Sequence, residues 1–243
     1  MKQIKMKKEP KIVVVMPAYK AAKTLKKTYG DIPKSLKAKI ILVDDASPDE
    51  TVQVAKKLGI EVIEHEYNIG YGGNQKTCYN AALRNGADVV VLLHPDYQYD
   101  PKMLIDLVQP LIGDEADFTF GSRFAQGRNP LKGGMPFYRY IGNRLTTFIE
   151  NLFLGTSFSE FHSGFKAYNR KLLQALPYKD YSNGFLFDSQ ILIDAVLADF
   201  RLKEIPIPTR YTEESSSIDI INSLIYIGQT IVYLVKQKLR TKE

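Results

Sequence analysis

Apolar residues along this chain cluster in short runs of strand length, separated by longer amphipathic stretches. Ile12–Met16, Lys39–Asp44, Glu61–His65, Val89–Leu93, Asp117–Gly121 and Leu202–Ile207 are the strand candidates. Val89–Leu93 lacks polar alternation and reads as a strand buried on both faces. Between them, helical spacing predicts helices over Ala21–Tyr29, Pro48–Leu58 and from about Asn74 to Asn85-Gly86. Further helices are expected over Pro101–Ile112, Phe137–Phe153 and Phe187–Leu197. Ser47 and Glu50 have capping-box spacing with Pro48 at the first helical position. Asp100-Pro101 is an N-cap and N1 pair, and Gly59 and Gly86 are helix stops. Strands alternating with helices predict an α/β fold with a mostly parallel sheet and right-handed crossovers. Ala125–Met135, rich in Gly, Pro and Asn, is predicted to be a mobile loop.

The last apolar stretch differs from the others. After a hinge at Ser215–Ser217, Ile218–Val235 places Asp219, Asn222, Ser223, Gln229 and Thr230 on one narrow polar stripe beside an arc of Ile, Leu and Val. Tyr226, Tyr233, Lys236 and Gln237 continue the stripe. At about 1.5 Å per residue the run is roughly 27 Å long, marginal for crossing a bilayer and adequate for lying in its interface. Packing on the rest of the chain, or on a second copy in a homodimer, is the competing placement.

With 243 residues the chain is long enough for one sizeable core. We expect a domain over 1–211 and a hinge plus C-terminal amphipathic, basic helix over 212–243. The formal net charge is +6. Part of that excess lies at the ends, in Lys2, Lys5, Lys7, Lys8 and Lys11 and in Lys236, Lys238, Arg240 and Lys242. Such charge favours anionic lipid or phosphate over nucleic acid, because no basic run is interleaved with aromatics. The single cysteine, Cys78, excludes an internal disulfide and fits a reducing, cytoplasmic compartment. The first apolar run is too short for a signal peptide.

Candidate chemistry gathers where the Val89–Leu93 strand stops. His94, Pro95, Asp96, Gln98 and Asp100 follow it, at the strand end where open α/β sheets place ligands. Asp96 and Gln98, two apart in an extended segment, point to one side and suit a hard divalent cation. Pro17-Ala18-Tyr19 ends the first strand and Asp44-Asp45 the second. Gly70, Gly72 and Gly73 precede a helix in a turn that is neither G-x-G-x-x-G nor a P-loop.

The segments VVVMPAY, LVDDASPDET, NIGYGGN, HPDYQYDP, FGSR and HSGFKAYNR occur here in an order and spacing that resemble family-2 glycosyltransferases of the GT-A fold. The branch the chain resembles most is that of the polyprenyl-phosphate (dolichol-phosphate) sugar synthases, over roughly Lys11–Tyr211. The resemblance implies a GT-A, Rossmann-like sheet and an inverting, metal-dependent transfer of a hexose from a nucleotide-diphosphate sugar. It implies that Pro17, Ala18, Tyr19, Asp45, Gly70, Gly72 and Asp96 contact the nucleotide, with Asp44 bracing the turn. Asp96 and Gln98 match the metal motif, whose first Asp is replaced by His94, so Mg²⁺ and Mn²⁺ both stay open. Arg123, Arg139 and Asn143 match positions that bind the phosphate of a lipid acceptor. Asp188, with Gln190 beside it, is the general-base candidate if the acceptor is a hydroxyl of a cell-surface glycan, whereas a phosphate needs no base. Glu160 and His162 are expected to shape the acceptor pocket, and His65 to be structural. A peripheral location on the inner face of the cell membrane follows from the lipid acceptor and the terminal helix. A nucleotidyltransferase is disfavoured by the absence of a Gly-rich Lys/Arg motif near the first strand. A sugar-nucleotide-binding protein without catalysis is suggested only by His94.

Overall fold

A computed structural model describes residues 9–210 and 220–240. A seven-stranded sheet is built from β1 (Ile12–Ala18), β2 (Lys39–Asp44), β3 (Glu61–Glu64), β4 (Val89–Leu92), β5 (Phe118–Ser122), β6 (Lys166–Asn169) and β7 (Leu202–Pro206). Their order is β3-β2-β1-β4-β6-β5-β7. All neighbours are parallel except at β6, which runs antiparallel to both β4 and β5. The expected mostly parallel α/β sheet is therefore present. The sequence reading missed β6, whose four residues include a lysine and an asparagine.

The helices are α1 (Leu25–Gly30), α2 (Thr51–Lys57), α3 (Tyr71–Arg84), α4 (Leu104–Ile112), α5 (Phe137–Leu154), α6 (Arg170–Ala175), α7 (Leu186–Leu197) and α8 (Ile220–Arg240). Residues along β1 alternate between two cores, Val13 and Val15 into one and Val14 and Met16 into the other, so both faces of the sheet are covered. That is why β1 and β4 read as unbroken apolar runs.

Several helix ends differ from expectation. The predicted capping box at Ser47 and Glu50 does not form, and α2 starts at Thr51 instead of Pro48. Ser47 is drawn away: its hydroxyl accepts from the Lys20 amide and its own amide donates to Asp44. Asp49 accepts from both the amide and the hydroxyl of Thr51. Asp100 does cap, accepting from the Lys102 amide at 3.1 Å, and a 3₁₀ turn over Pro101–Met103 leads into α4. The predicted loop at Ala125–Met135 contains two 3₁₀ turns, the second capped by the Asn129 side chain, with Met135 buried beyond it. The predicted hinge at Ser215–Ser217 lies outside the described residues.

Helix α8 runs past its predicted end to Arg240. It packs on α5 and α7. The stripe of polar residues faces inward: Thr230 is fully buried, and the Tyr226 and Tyr233 hydroxyls bond to Ser189 and Asp194. Asn222 and Gln229 stay exposed at its edge. Ile221, Leu224, Ile225, Val232 and Leu239 are exposed instead. No helix among the described residues is long and apolar enough to cross a membrane.

One carboxylate holds the far ends of three strands. Asp117, just before β5, accepts from Asn169 at the end of β6 and from the amide and guanidinium of Arg201, just before β7. Hydrogen bonds from Arg201 are the main reason its pKa is pulled down to about 2. A depressed carboxylate contributes stability that is complete above its ordinary range and lost as pH falls through the folded value. Asp117→Asn should therefore cost about 1.5–3 kcal/mol near neutral pH. In urea titrations the gap from the wild type should close as pH approaches about 2.

Candidate active site

The carboxyl ends of β1, β2 and β4 open into a cavity of about 1130 Å³. Pro17, Ala18 and Tyr19 line it from β1, Asp45 from the end of β2, and His94, Asp96 and Gln98 from the end of β4. Arg123 after β5, Arg139 and Asn143 of α5, Asp188 of α7 and Tyr226 and Ile227 of α8 line the same cavity. Thus most of the expected site residues are brought to one space. Asp44, Gly70 and Gly72 stand behind the wall. Asp44 braces the turn through the Ser47 amide at 2.8 Å.

Asp45 organises the glycine turn. Its buried carboxylate accepts from the Ile69 and Gly70 amides at 2.9 and 3.1 Å and meets His65 Nδ1 at 2.8 Å. Gly70 has φ +90°, a conformation that a side chain would strain. A Cβ on Gly72 would strike the Ser182 carbonyl and Phe187. The close approach these glycines permit here is to the turn Ser182–Gly184, to which Asn183 contributes a carbonyl that accepts from the Gly72 amide at 2.7 Å.

The cation-motif segment has a distinct donor set. The His94 ring stacks on Tyr71 with centroids 5.5 Å apart, and its Nε2 lies 3.3 Å from the Tyr71 hydroxyl. Burial pushes its pKa below the ordinary histidine value, so the ring is neutral at pH 7. Asp96 accepts from the Gln98 amide at 3.0 Å and is 8% exposed on the cavity wall. Among the described residues no group of three or more His, Cys, Asp or Glu side chains is gathered as a metal cage. One carboxylate, one amide and a neutral imidazole still suit Mg²⁺ or Mn²⁺, which take much of their shell from substrate phosphates and water. These residues fit an ion that is completed by a diphosphate.

Asp188 sits in a web of donors. Its Oδ1 is 3.1 Å from Lys166 Nζ and 3.2 Å from Gln75 Nε2, and its Oδ2 accepts from the Tyr71 hydroxyl at 2.8 Å. Lys166 is fully buried, and that burial lowers its pKa against the opposing pull of Asp188. Burial likewise drives the Tyr71 phenol well above its usual pKa, with the Asp188 charge adding to it. Tyr71 and Lys166 thus belong to the site although the sequence reading gave them no role. A lysine on a strand carries no signal of burial until β6 is inserted between β4 and β5.

Glu160 is a further carboxylate of the site and is fully buried. It receives the Arg123 amide at 2.7 Å, the Arg123 Nε at 2.9 Å and the Asn143 amide group at 2.9 Å, and it pairs with the Arg123 Nη2. Its own amide and Ser159 donate to Glu204 of β7. Arg123, expected to meet an acceptor phosphate, is only 7% exposed. His162 is held between Glu150, whose Oε2 is 3.0 Å from Nε2, and the Tyr226 hydroxyl, 2.9 Å from Nδ1. Glu150 was also missed. Its single acidic charge in the stretch Phe148–Phe153 was the available signal.

An α/β sheet with a cleft over its parallel strand ends, walled by an acidic turn and a buried arginine, is the arrangement expected of the nucleotide-sugar transferase class. The sequence matches the model of "Glycosyl transferase family 2" over residues 13–176. The chain belongs to that family and is a glycosyltransferase. It is 30% identical over 222 residues to the UDP-N-acetylglucosamine–dolichyl-phosphate N-acetylglucosaminyltransferase of Methanococcus voltae, covering 84% of this chain and 87% of the relative. It is 27% identical to the dolichyl-phosphate hexose transferase of Haloferax volcanii, covering 94% and 96%. Among solved structures it resembles glucosyl-3-phosphoglycerate synthase from Mycobacterium tuberculosis in complex with Mn²⁺, UDP and glucosyl-3-phosphoglycerate, with TM-score 0.69 and 18% identity over 94% of this chain and 80% of that one. The two dolichyl-phosphate relatives support the expected polyprenyl-phosphate branch.

The Arg123–Glu160 pair yields a direct test. Removing one member of a buried ion pair strands the other charge, at a cost of about 3–5 kcal/mol. Arg123→Ala and Glu160→Ala should each lower stability by that much, and the double variant should lose clearly less than their sum. Urea denaturation of the full cycle measures it, and additivity would mean that the two charges do not depend on each other.

Proposed function

We propose that this enzyme transfers a hexose, with inversion, from a nucleotide-diphosphate sugar to a polyprenyl phosphate. The observation that carries this reading is the chemistry of the cavity wall. Strand ends with an acidic turn face Arg123, Arg139 and Asn143, and the wall continues into the Tyr138 ring of α5 and the aliphatic Leu224 and Ile227 of α8. A phosphate on an apolar tail fits that sequence of surfaces. The named substrates of the dolichyl-phosphate relatives support the same acceptor, and the UDP in the structural neighbour supports a nucleotide-diphosphate donor.

The nucleotide lies over Pro17, Ala18 and Tyr19, beside the turn that Asp45 holds, with its diphosphate towards Asp96 and Gln98. Asp96, with Gln98 and His94 adjacent, would hold a Mg²⁺ or Mn²⁺ ion there, which would supply positive charge to the departing diphosphate. Arg123, fixed by Glu160, to which Asn143 also donates, and Arg139 orient the acceptor phosphate. A phosphate oxygen forms the new bond to the anomeric carbon as the bond to the diphosphate oxygen breaks. The acceptor arrives as an anion, so no proton has to be removed for attack. That agrees with Asp188, whose two oxygens already receive Lys166, Gln75 and Tyr71. In this reading Asp188 fixes Tyr71 and Lys166 beneath the reacting groups and is not a general base.

Incubation with UDP- and GDP-sugars and a polyprenyl phosphate, followed by mass spectrometry of the lipid fraction, should reveal a glycosyl phosphoryl polyprenol. Sugar appearing only on glycan hydroxyls would overturn the acceptor assignment. Asp96→Ala should abolish the Mn²⁺-dependent part of donor binding in calorimetry. Arg139→Ala should raise the acceptor KM about ten- to a hundredfold, the loss of one charge-assisted phosphate bond, and leave donor KM unchanged.

A further inference from the structure

Exposed large hydrophobic side chains are not scattered over this molecule. On α5, Phe137, Ile141, Leu145, Phe148 and Leu152 recur at three- and four-residue spacing and are 48–70% exposed. On α8, Ile221, Leu224, Ile225, Val232, Val235 and Leu239 are exposed in the same way. Together the two helices carry most of the exposed large apolar side chains of the described residues. The helices also touch. Gly142 faces Ile227, and Lys238 Nζ donates to the Phe153 carbonyl the same number of residues further along each helix. They therefore lie side by side and run in the same direction, each presenting an apolar stripe.

The inward side of α8 shows that this exposure is built into the sequence. An amphipathic helix docked by its apolar face would bury Leu224 and Val232 and leave Tyr226 and Thr230 in water. Here Thr230, Tyr226 and Tyr233 are tied to Ser189, His162 and Asp194, and the apolar arc is left outside. A surface of that size is expected to have an occupant.

We propose that the paired outer faces of α5 and α8 form one docking surface for a bilayer bearing anionic lipids. The choice of a lipid acceptor rests on the function proposed above. Charge supports the bilayer independently. The only acidic residue on α5 and on the described length of α8 is Glu150, which is fully buried. Arg139 and Arg144 on α5, and Lys236, Lys238 and Arg240 at the end of α8, give the surface a positive sign. The cavity supplies a second argument. Tyr138 and Leu224 line it and are themselves exposed, so the space holding Arg123 reaches the surface beside the first turns of both helices. A second copy of the chain seated on this surface would seal that opening. A bilayer would instead deliver an isoprenoid tail along the apolar stripes and its phosphate to Arg123 and Arg139. The earlier expectation assigned membrane contact to the terminal helix alone, whereas here α5 contributes an equal share.

The test separates docking from catalysis. The full chain is floated on vesicles of phosphatidylcholine with and without phosphatidylglycerol, in the absence of any substrate. Leu145→Glu with Leu152→Glu disrupts the α5 stripe, and Val232→Glu with Leu239→Glu disrupts the α8 stripe. These side chains are exposed, so circular dichroism and melting temperature should match the wild type. The wild type should float with the anionic vesicles, and each pair should reduce the bound fraction about tenfold or more, since two apolar contacts are lost and two negative charges face the lipid. Transfer to a short-chain, water-soluble prenyl phosphate should remain within about twofold for both pairs, since no residue of the cavity is altered. Wild-type protein staying with the soluble fraction on both vesicles would overturn the surface, as would an α5 pair that floats like the wild type. A stable dimer in light scattering that either pair dissociates would assign the surface to a second copy instead. A protein that floats but transfers no sugar to prenyl phosphate would leave the docking surface standing and remove the acceptor reading.

Discussion

The buried pairing of Glu160 with Arg123 is the interaction on which the wall of the cavity between β5 and α5 depends. A carboxylate with no exposure to water is tolerable only when its charge and lone pairs are met within the protein. Glu160 meets that condition by collecting the backbone and guanidinium of Arg123 and the side chain of Asn143. Those donors come from the end of β5 and from α5, so one carboxylate fixes the angle between a strand end and a long helix. Glu204 on β7 secures the loop that carries it. Under the proposed function, a guanidinium clamped in this way would lose little further freedom on receiving a phosphate, which is the physical advantage of preorganisation.

The same logic governs the neighbouring cluster. Lys166 and Asp188 are both withdrawn from water and are stable as a pair. Tyr71 joins Asp188 to the His94 ring. The histidine that stands in place of the motif's first carboxylate is thereby neutral and packed against an aromatic ring. The cation motif of this chain consequently carries one carboxylate fewer, and an ion there must draw more of its ligands from the diphosphate. Under the proposed function, this would tie cation binding to donor binding through the composition of a single turn.

Helix α8 joins the two themes. Its Tyr226 reaches the His162–Glu150 pair and Ser189. The buried side of this helix completes the polar wall of the cavity, and its other side leaves a stripe of leucine, isoleucine and valine in the open. Polar inside and apolar outside reverses the usual arrangement of a surface helix. Such an arrangement is stable only because each inward hydroxyl has a named partner.

Local pattern carried much of this structure. The buried runs at β1 and β4, the alternation of strand and helix, the Asp100 cap and the length of α5 all follow from spacing and cap chemistry that neighbouring residues decide among themselves. The motif positions Asp96, Arg123, Asn143 and Asp188 all fall on the wall of one cavity. Three things were settled only in three dimensions. Strand β6 exists because the gap between β4 and β5 needs a partner for both, and its four residues have no periodicity long enough to announce it. The burial of Arg123 and Lys166 depends on carboxylates 37 and 22 residues away, and a charge on its own gives no sign of such a partner. The sequence separated a polar stripe from an apolar arc on α8, because helical geometry fixes which side chains share a face. Which side turned inward was decided by Ser189, His162 and Asp194, whose unmet hydrogen-bonding groups made the polar stripe the better fit to the surface beneath it.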